Sequence, residues 1–272
     1  MPAPMDFAQL HTVSVEDGRP TLLYRRGEHA VYWLGIEEET AFRCNTYLIT
    51  DGDQALLVDP GNRRFFSTVY DRVAQIIDPA TLDGLIICHQ DPDVAASFND
   101  WLAVAPRARV YTSPRTQVLL PHYGRDDYDY RDVTATPRLE LPSGSALRFI
   151  EAPFLHFPGA FVTYDEASGA LFSGDIWAAL DIDWQLVVDD FAQHCQYMDL
   201  FHLDYMASNV AARGFVRRLA GLEIDAILPQ HGSLIPPRHV AAALDYLREL
   251  RCGTDIYYPD LHTNSRGTAL HE

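Results

Sequence analysis

The stretch His89-Gln90-Asp91-Pro92-Asp93-Val94-Ala95-Ala96-Ser97 determines how the rest of this sequence is interpreted. It follows the apolar run 85–88, which predicts a buried strand, and it leads into residues 95–104, which predict a helix. An imidazole and two carboxylates therefore share one short strand-to-helix loop. Because a rigid strand ends there, these side chains can converge on one point, and the loop is a candidate metal site.

The same loop also has a purely structural interpretation. Asp93 could cap the following helix, and Asp91-Pro92 could form a turn. Three later segments favour a metal site instead, because each places a ligand-type residue beside Gly or Pro at the edge of an apolar run. They are Leu155-His156-Phe157-Pro158-Gly159, Phe172-Ser173-Gly174-Asp175 and Leu228-Pro229-Gln230-His231-Gly232. The order along the chain is HxDxD, H, D, H.

The donor types in these segments limit the choice of metal. Imidazoles and carboxylates form a mixed nitrogen and oxygen set, which suits iron or manganese at least as well as zinc, and thiolates are absent from these motifs. A carboxylate-rich set donates negative charge and so stabilises the higher oxidation state of a redox metal. Oxygen-rich dinuclear iron sites are one means by which proteins bind dioxygen.

This order of motifs resembles the metallo-β-lactamase superfamily, whose dinuclear site is built from loops at one edge of a β-sandwich. Hydrolytic members usually carry HxHxDH, whereas the second position after His89 here is the carboxylate Asp91. An acidic residue there resembles the diiron branch, which includes the flavodiiron proteins and the oxygen-binding diiron proteins. Further similar stretches, within a resemblance that runs from about residue 45 to about residue 235, are NTYLI at 45–49, APFLHFP at 152–158, VTY at 162–164 and LFSGD at 171–175.

The resemblance implies a ligand set for two irons, with zinc and manganese as alternative metals. One iron would be held by His89, Asp91 and His156, the second by Asp93 and His231, and Asp175 would bridge both. Two positions depart from the family pattern. Asp91 stands where the family usually has the longer Glu, and Val94 stands where many members have His. The second iron is therefore expected to have a more open position beside Val94.

Three residues outside this set are candidates for supporting the ligands. Asp59 ends a predicted strand, where it could orient a ligand histidine or stabilise a turn. Tyr205 stands where the diiron branch often has a tyrosine near the metals, and a core tyrosine is the alternative. His194 falls in residues 176–196, which predict a loop or broken helix over the site. We leave His194 out of the ligand set because six residues already complete two sites.

Hydrophobic periodicity predicts two sheets with helices outside them. The resemblance implies the same fold class, α/β (α+β), as a metallo-β-lactamase-type αββα sandwich in a single domain over 1–272, with its core at about 20–250. Residues 199–219 predict one amphipathic helix that buries Leu200 and Val210, and residues 121–132 predict a polar loop. Strands are predicted at 21–24, 30–34, 45–50, 55–59, 108–112, 138–141, 146–151, 161–164, 170–173 and 226–229, and other helices at 65–77, 114–120 and 238–250. Asp51-Gly52-Asp53 predicts a hairpin.

Composition and charge limit the partners. The chain has 272 residues, 47% of them hydrophobic and 22% charged, which is typical of a globular protein. The formal net charge of −17 argues against nucleic acid or an anionic membrane surface as a partner, because each would be repelled. The first residues lack a signal-peptide pattern, and no apolar run approaches the ~20 residues of a membrane span. A cytoplasmic protein is expected.

These observations favour a non-haem diiron protein that binds dioxygen or nitric oxide as a sensor or scavenger. Whether it also reduces its ligand as an enzyme is left open, and so is a homodimer. The sequence shows no phosphate-binding loop with a further α/β unit, so no flavin is expected on this chain. Because two irons store only two electrons, binding is preferred to fast reduction, and electrons would come from an external donor such as rubredoxin or a flavin reductase.

The alternative is a dinuclear zinc hydrolase of the same superfamily. It would act on a thioester, phosphoester or lactone with a metal-bound hydroxide as nucleophile. Asp91 in the place of the usual second His disfavours this alternative. A third interpretation, a metal-free descendant, would require all six ligand-type residues to be coincidental.

Overall fold

A computed structural model describes residues 5–14, 18–36 and 42–261 and shows two β-sheets at the centre of the fold. In the first sheet the first four strands run antiparallel, and the last three continue in parallel from the fourth. In spatial order its strands are β1 Thr21–Arg26, β2 His29–Ile36, β3 Asn45–Asp51, β4 Gln54–Val58, β5 Gly84–Ile86, β6 Arg109–Thr112 and β7 Asp129–Asp132.

The second sheet is formed by the later part of the chain. Four of its strands pair antiparallel in sequence order, and the last strand joins in parallel beside the fourth of them. They are β8 Arg138–Glu140, β9 Ala146–Glu151, β10 Phe161–Asp165, β11 Ala170–Gly174 and β12 Ala226–Pro229. The two parallel pairs, β4 with β5 and β11 with β12, matter most for the candidate site, because their carboxyl ends carry the ligand loops.

Helices cover the outer faces of both sheets. On the first sheet, apolar residues of α2 and α4 pack against outward side chains of β3 to β6, and on the second, α6, α7 and α8 pack against β10 to β12. The α-helices within the described residues are α1 Phe7–Leu10, α2 Phe66–Val73, α3 Pro92–Ala95, α4 Phe98–Val104, α5 Pro114–Gln117, α6 Phe191–Tyr205, α7 Asn209–Arg218, α8 Pro237–Glu249 and α9 Thr254–Tyr257. No helix within these residues is both long and apolar enough to cross a bilayer.

Alternation along β3 explains the layering. Tyr47 and Ile49 face the cluster between the two sheets, whereas Leu48 faces the cluster under the helices. A strand that is apolar on both faces must be covered on both faces. Each fully buried side chain of this size contributes roughly 1.5–3 kcal/mol, so the layered arrangement is strongly favoured over an exposed sheet.

The predicted αββα sandwich is confirmed, and so is the hairpin at residues 51–53, where Asp51 pairs with Gln54. Two of the predicted secondary-structure elements are wrong in kind. Residues 129–132 of the predicted polar loop form the edge strand β7. The predicted helix 199–219 is two helices, because the chain becomes extended at Met206 and Ser208 caps α7.

The break between α6 and α7 also changes which side chains are buried. Leu200 and Val210 were expected on one buried face but are 53% and 71% exposed. The hydrophobic periodicity of the sequence continues through residues 206–208, although the backbone direction changes there. Phe215 of α7 lies in the core, as expected.

The central cluster contains side chains from both halves of the chain. Val58 and Tyr111 of the first sheet share it with Phe149 and Leu228 of the second. We therefore propose that the described residues form one domain, because neither half could bury its inner face alone. Two separate transitions in the unfolding experiment below would contradict this proposal.

His29 joins the two sheets at the edge opposite the carboxyl ends of β4 and β11. Its Nδ1 lies 2.8 Å from Oδ2 of Asp51, and its Nε2 lies 2.9 Å from Oδ2 of Asp165. All three side chains are buried. Burial alone would lower the pKa of His29, but the hydrogen bonds and charges of Asp165 and Asp51 outweigh burial and raise it.

Replacing His29 with asparagine should lower the free energy of unfolding by about 3–5 kcal/mol near pH 6, because two buried carboxylates lose their shared cation. The pKa of His29 is raised in the folded state. Its contribution is therefore fully present below the unfolded value of about 6.5 and is lost as the pH rises through the folded-state pKa. Urea unfolding of the unchanged protein and the variant should show that their difference in free energy of unfolding becomes smaller as the pH rises. A difference that widens with pH would contradict the charged assignment.

Candidate metal centre

All six predicted ligands lie in loops at one edge of the sandwich. Parallel strands end at the same edge of a sheet, and ligand sites commonly form outside those carboxyl ends. The loops that follow β5, β11 and β12, together with the loop between β9 and β10, meet there. They carry His89, Asp91, Asp93, His156, Asp175 and His231.

Four of these side chains form a first group. Oδ2 of Asp175 lies 3.2 Å from His89 Nε2 and 3.0 Å from His156 Nε2. Oδ2 of Asp91 lies 3.7 Å and 3.2 Å from the same two nitrogens. One donor atom from each residue lies within 4.8 Å of all the others, which is close enough for a single metal ion to contact all four.

A second group adjoins the first through Asp175. Nε2 of His231 lies 3.2 Å from Oδ2 of Asp93 and 3.6 Å from Oδ1 of Asp175. The two oxygens of Asp175 are thus directed toward different groups, which is the arrangement a bridging carboxylate requires. Cys44 completes the second group. The sequence analysis missed Cys44 because its motifs contained no thiol, although it directly precedes the NTYLI stretch.

The residues present fit a metal, as one orphaned atom shows. Oδ1 of Asp175 is buried and has no hydrogen-bond partner among the described residues. An unsatisfied buried polar group costs roughly 1–3 kcal/mol, and more when it is charged. A cation between the two groups would remove this cost, because carboxylate oxygens and imidazole nitrogens are suitable ligands for iron, manganese or zinc.

Electrostatics in the first group follow from the close pairing of imidazoles and carboxylates. Burial alone would lower the pKa of His156, but hydrogen bonds to Asp175 and Asp91 raise it to about 9. Burial would raise the pKa of Asp175, but the charge of His89 and hydrogen bonds to His156 and His89 hold it well below the usual value. A metal must displace the imidazole protons, so binding should release protons.

Neighbouring groups orient two of the histidines. Nδ1 of His231 donates to the Arg43 carbonyl over 3.0 Å, and Nδ1 of His89 lies 3.1 Å from the Cys88 sulfur. In both rings Nε2 then faces the carboxylates. Contacts of this kind fix the ring orientation of metal-binding histidines.

The HxDxD loop has a defined backbone conformation. Asp91 is extended and precedes Pro92, which occupies the first position of α3. Proline is favoured at that position because its fixed φ suits the helix and its missing N–H is not needed. The helix predicted to begin at residue 95 therefore begins at Pro92 and is interrupted before α4. Gln90 Nε2 donates to Asp91 Oδ1 over 2.6 Å, which leaves Oδ2 directed at the histidines.

Val94 does not line the second group, and the more open position expected there stays a prediction. Its side chain is fully buried in the cluster under the outer helices, with Leu48 and Phe98 among its members. The side chain beside Asp93 and His231 is instead Cys44.

The three supporting candidates differ in position. Asp59 acts on the backbone, because its Oδ1 accepts from the Cys88 amide over 3.0 Å, and burial raises its pKa to about 6. Tyr205 lines the cavity over the ligands, and its ring centre lies 6.0 Å from that of His156. His194 is not brought into either group. It lines a separate cavity, so the predicted cover of the site by residues 176–196 is wrong for this side chain.

His202 is a supporting residue that sequence analysis missed. Its Nε2 accepts from the Trp177 amide over 2.9 Å, and its Nδ1 donates to the Met198 carbonyl over 2.8 Å. Burial lowers the pKa of His202 to about 4, so the ring stays neutral and fills both roles. It therefore fixes the turn that follows Asp175.

The ligands face a cavity of about 300 Å³. Three aromatic side chains, Phe42, Phe201 and Tyr205, line it beside the ligand histidines. The rings of Phe201 and Tyr205 stack with their centres 4.6 Å apart, and Phe42 packs edge-on against both. The cavity is therefore lined by polar ligands and by an adjoining group of aromatic rings.

Comparison with known proteins relates the whole arrangement to one family. The sequence model of ODP family beta lactamase matches residues 42–232, which is more than half of the chain. The chemotaxis sensor ODP, in a structure of its peroxy diiron species, is 35% identical with a TM-score of 0.78, and the match covers 89% of this chain and 99% of that one. The apo state of the sensor ODP from T. denticola is also 35% identical, with a TM-score of 0.76 and coverage of 89% and 98%.

A longer relative matches as well. The flavo-diiron protein FprA2 of Clostridium acetobutylicum is 26% identical over 213 residues, which are 76% of this chain and 53% of that protein. The chain spans about half or less of the length of the curated relatives that it matches. These similarities confirm the predicted metallo-β-lactamase-type fold and its diiron branch.

Replacing Asp175 with alanine should reduce occupancy of both metal positions, because it removes a ligand from each. After anaerobic reconstitution with ferrous iron, elemental analysis should find about two metals per chain in the unchanged protein. It should find far fewer in Asp175→Ala, with affinity lower by about 10-fold or more. His122→Ala is the matched control, because His122 is exposed and lies outside both groups. Full occupancy in Asp175→Ala, with both positions emptied by His89→Ala, would contradict the bridging arrangement.

Proposed function

This chain belongs to the ODP family of beta-lactamase-fold proteins, and on that premise we propose that it is a non-haem diiron protein that binds dioxygen or nitric oxide. The observation that carries the proposal is the pair of ligand groups that share Asp175. Similarity to the sensor ODP over nearly its whole length favours a sensing or scavenging role.

We assign the ligands as the resemblance to the diiron branch implies. His89, Asp91 and His156 would hold one iron, Asp93 and His231 the second, and Asp175 both. The carboxylates favour iron over softer metals and stabilise its higher oxidation state. Zinc and manganese are the alternative occupants. When bound, two ferrous ions would supply one electron each to a diatomic ligand.

The protein's own residues suit a small, uncharged ligand. Phe42 packs against His231 and Phe201 packs against His156, so part of the cavity wall is apolar. Gln90 positions Asp91, and the Tyr123 hydroxyl donates to the Gln90 carbonyl over 2.6 Å, so the loop is held in place. A diatomic molecule needs little room and no charged recognition group.

Electrons for complete reduction would have to come from outside the two irons. Dioxygen needs four electrons for reduction to water, and two irons store two. We therefore prefer binding, with sensing or slow scavenging, to fast reduction, and keep rubredoxin or a flavin reductase as the kind of donor. The absence of a flavin, the cytoplasmic location and a homodimer stay predictions from the sequence.

The zinc-hydrolase alternative has less support. The site offers a carboxylate, Asp91, where the hydrolytic motif has a histidine, and the family match is to the ODP group. Three aromatic side chains line the cavity together with the ligands. Within the described residues that line the cavity there is no Lys or Arg to bind a phosphoester.

Iron-loaded protein that is reduced anaerobically should change its visible spectrum when mixed with dissolved oxygen, since two adjacent ferrous ions can be oxidised by one ligand molecule. An oxygen electrode should record about one molecule taken up per pair of irons, and continued uptake only after a reductant with rubredoxin or a flavin reductase is added. Asp175→Ala, loaded in parallel, should show little of either response.

The zinc-hydrolase alternative predicts a different result. A protein that retained two zinc ions, gave no optical response to oxygen and hydrolysed a thioester or phosphodiester would establish the hydrolase instead. The zinc-loaded protein should therefore be assayed against both ester classes in the same series.

A further inference from the structure

The sulfur of Cys44 lies among the donors of the second ligand group. It is 3.6 Å from Oδ2 of Asp93, the oxygen nearest His231 Nε2, and 3.8 Å from Nδ1 of His231, the ring nitrogen that donates to the Arg43 carbonyl. Donor atoms of these three residues all lie within 4.8 Å of one another. Asp175, whose Oδ1 is buried and lacks a hydrogen-bond partner among the described residues, points to the same place.

The backbone holds Cys44 rigidly beside the His231 loop. Cys44 and His231 form an antiparallel bridge. The side chain of the next residue, Asn45, donates to the carbonyls of Pro229 and Gly232 over 2.9 Å and 2.8 Å. Trp33 in turn donates to the Asn45 side chain over 2.8 Å. The position of the thiol is therefore fixed by the hydrogen bonds of the buried Asn45 side chain, which follows it in sequence.

The spacing of the donors matches metal coordination. With bond lengths of about 2.3 Å to sulfur and about 2.1 Å to oxygen, a tetrahedral angle separates the two donors by about 3.6 Å. The distance between Cys44 Sγ and Asp93 Oδ2 is 3.6 Å. The same angle separates a nitrogen from an oxygen by about 3.4 Å, and His231 Nε2 lies 3.2 Å from Asp93 Oδ2.

The second group has fewer imidazole and carboxylate residues than the first. The first group has four residues, whereas Asp93, His231 and the shared Asp175 give the second only three. The residue next to Asp93 in sequence cannot contribute, because Val94 is apolar and buried in the core.

We propose that Cys44 is a sulfur ligand of the metal at the second position. This inference rests on the dinuclear site proposed above. On binding, the thiol S–H bond breaks, the proton passes to solvent, and a metal–sulfur bond forms without any change in oxidation state. The two positions are then chemically different: the first has nitrogen and oxygen donors only, and the second has a thiolate that favours softer metals.

Cys44 also has an ordinary structural role as the alternative. Its sulfur lies 3.4 Å from the Phe42 carbonyl, which is a weak thiol hydrogen bond, and buried cysteines often act as small apolar residues. That role predicts no bond to a metal. Direct spectroscopy of the metal therefore separates the two roles.

Cobalt(II) is the probe, because a thiolate bound to it gives an intense near-ultraviolet charge-transfer band that nitrogen and oxygen ligands do not give. The full-length protein, stripped of metal, should be titrated anaerobically with cobalt to two equivalents. The band should grow in the unchanged protein and be lost in Cys44→Ser and Cys44→Ala. Cys195→Ser is the matched control and should keep the band, because Cys195 is half-buried on α6, outside both ligand groups.

A second measurement does not depend on any variant folding. X-ray absorption at the cobalt edge of the unchanged protein should show sulfur at about 2.3 Å. Two bound cobalt ions without sulfur, or a band that survives in Cys44→Ser, would overturn the assignment of Cys44 and leave the dinuclear site intact. A protein that bound no cobalt at all would overturn both.

Discussion

The structure depends on one buried carboxylate that is shared between two groups of ligands. Asp175 lies where β11 ends, with one oxygen near His89 and His156 and the other nearest His231. Burying a lone carboxylate costs several kcal/mol unless positive charge surrounds it. The loops that surround Asp175 come from both sheets, so the sandwich must bring its two sheets together at this edge for the charge to be compensated.

The framework around Asp175 is correspondingly rigid. His202 holds the turn after it through the Trp177 amide, and Asp59 holds the backbone just before His89. Both supports are buried and reach backbone amides, so they fix position without competing for the metal. The ligands and the supporting groups therefore have separate roles, and this separation allows a carboxylate-rich site at the end of a well-packed core. The ligands carry the charge, and other polar groups satisfy the backbone.

Much of the fold and all six imidazole and carboxylate ligands could be predicted from the sequence, because each ligand follows a strand or lies beside Gly or Pro at its edge. Cys44 could not, since its contacts are with Asp93, 49 residues away, and His231, 187 residues away, and no local pattern marks them. The direction of the Val94 side chain could not be predicted either, because a sequence does not show which way one side chain of a short helix turns. The prediction of one continuous helix through Met206 was wrong because the hydrophobic periodicity of the sequence continues where the backbone becomes extended.

The most direct test of the account is anomalous diffraction at the iron edge from crystals of the protein loaded anaerobically with ferrous iron. We expect two peaks about 3.5–4 Å apart, one on each side of Asp175. The first should contact His89, Asp91 and His156, and the second Asp93 and His231. A single peak, or two peaks that do not share Asp175, would contradict it.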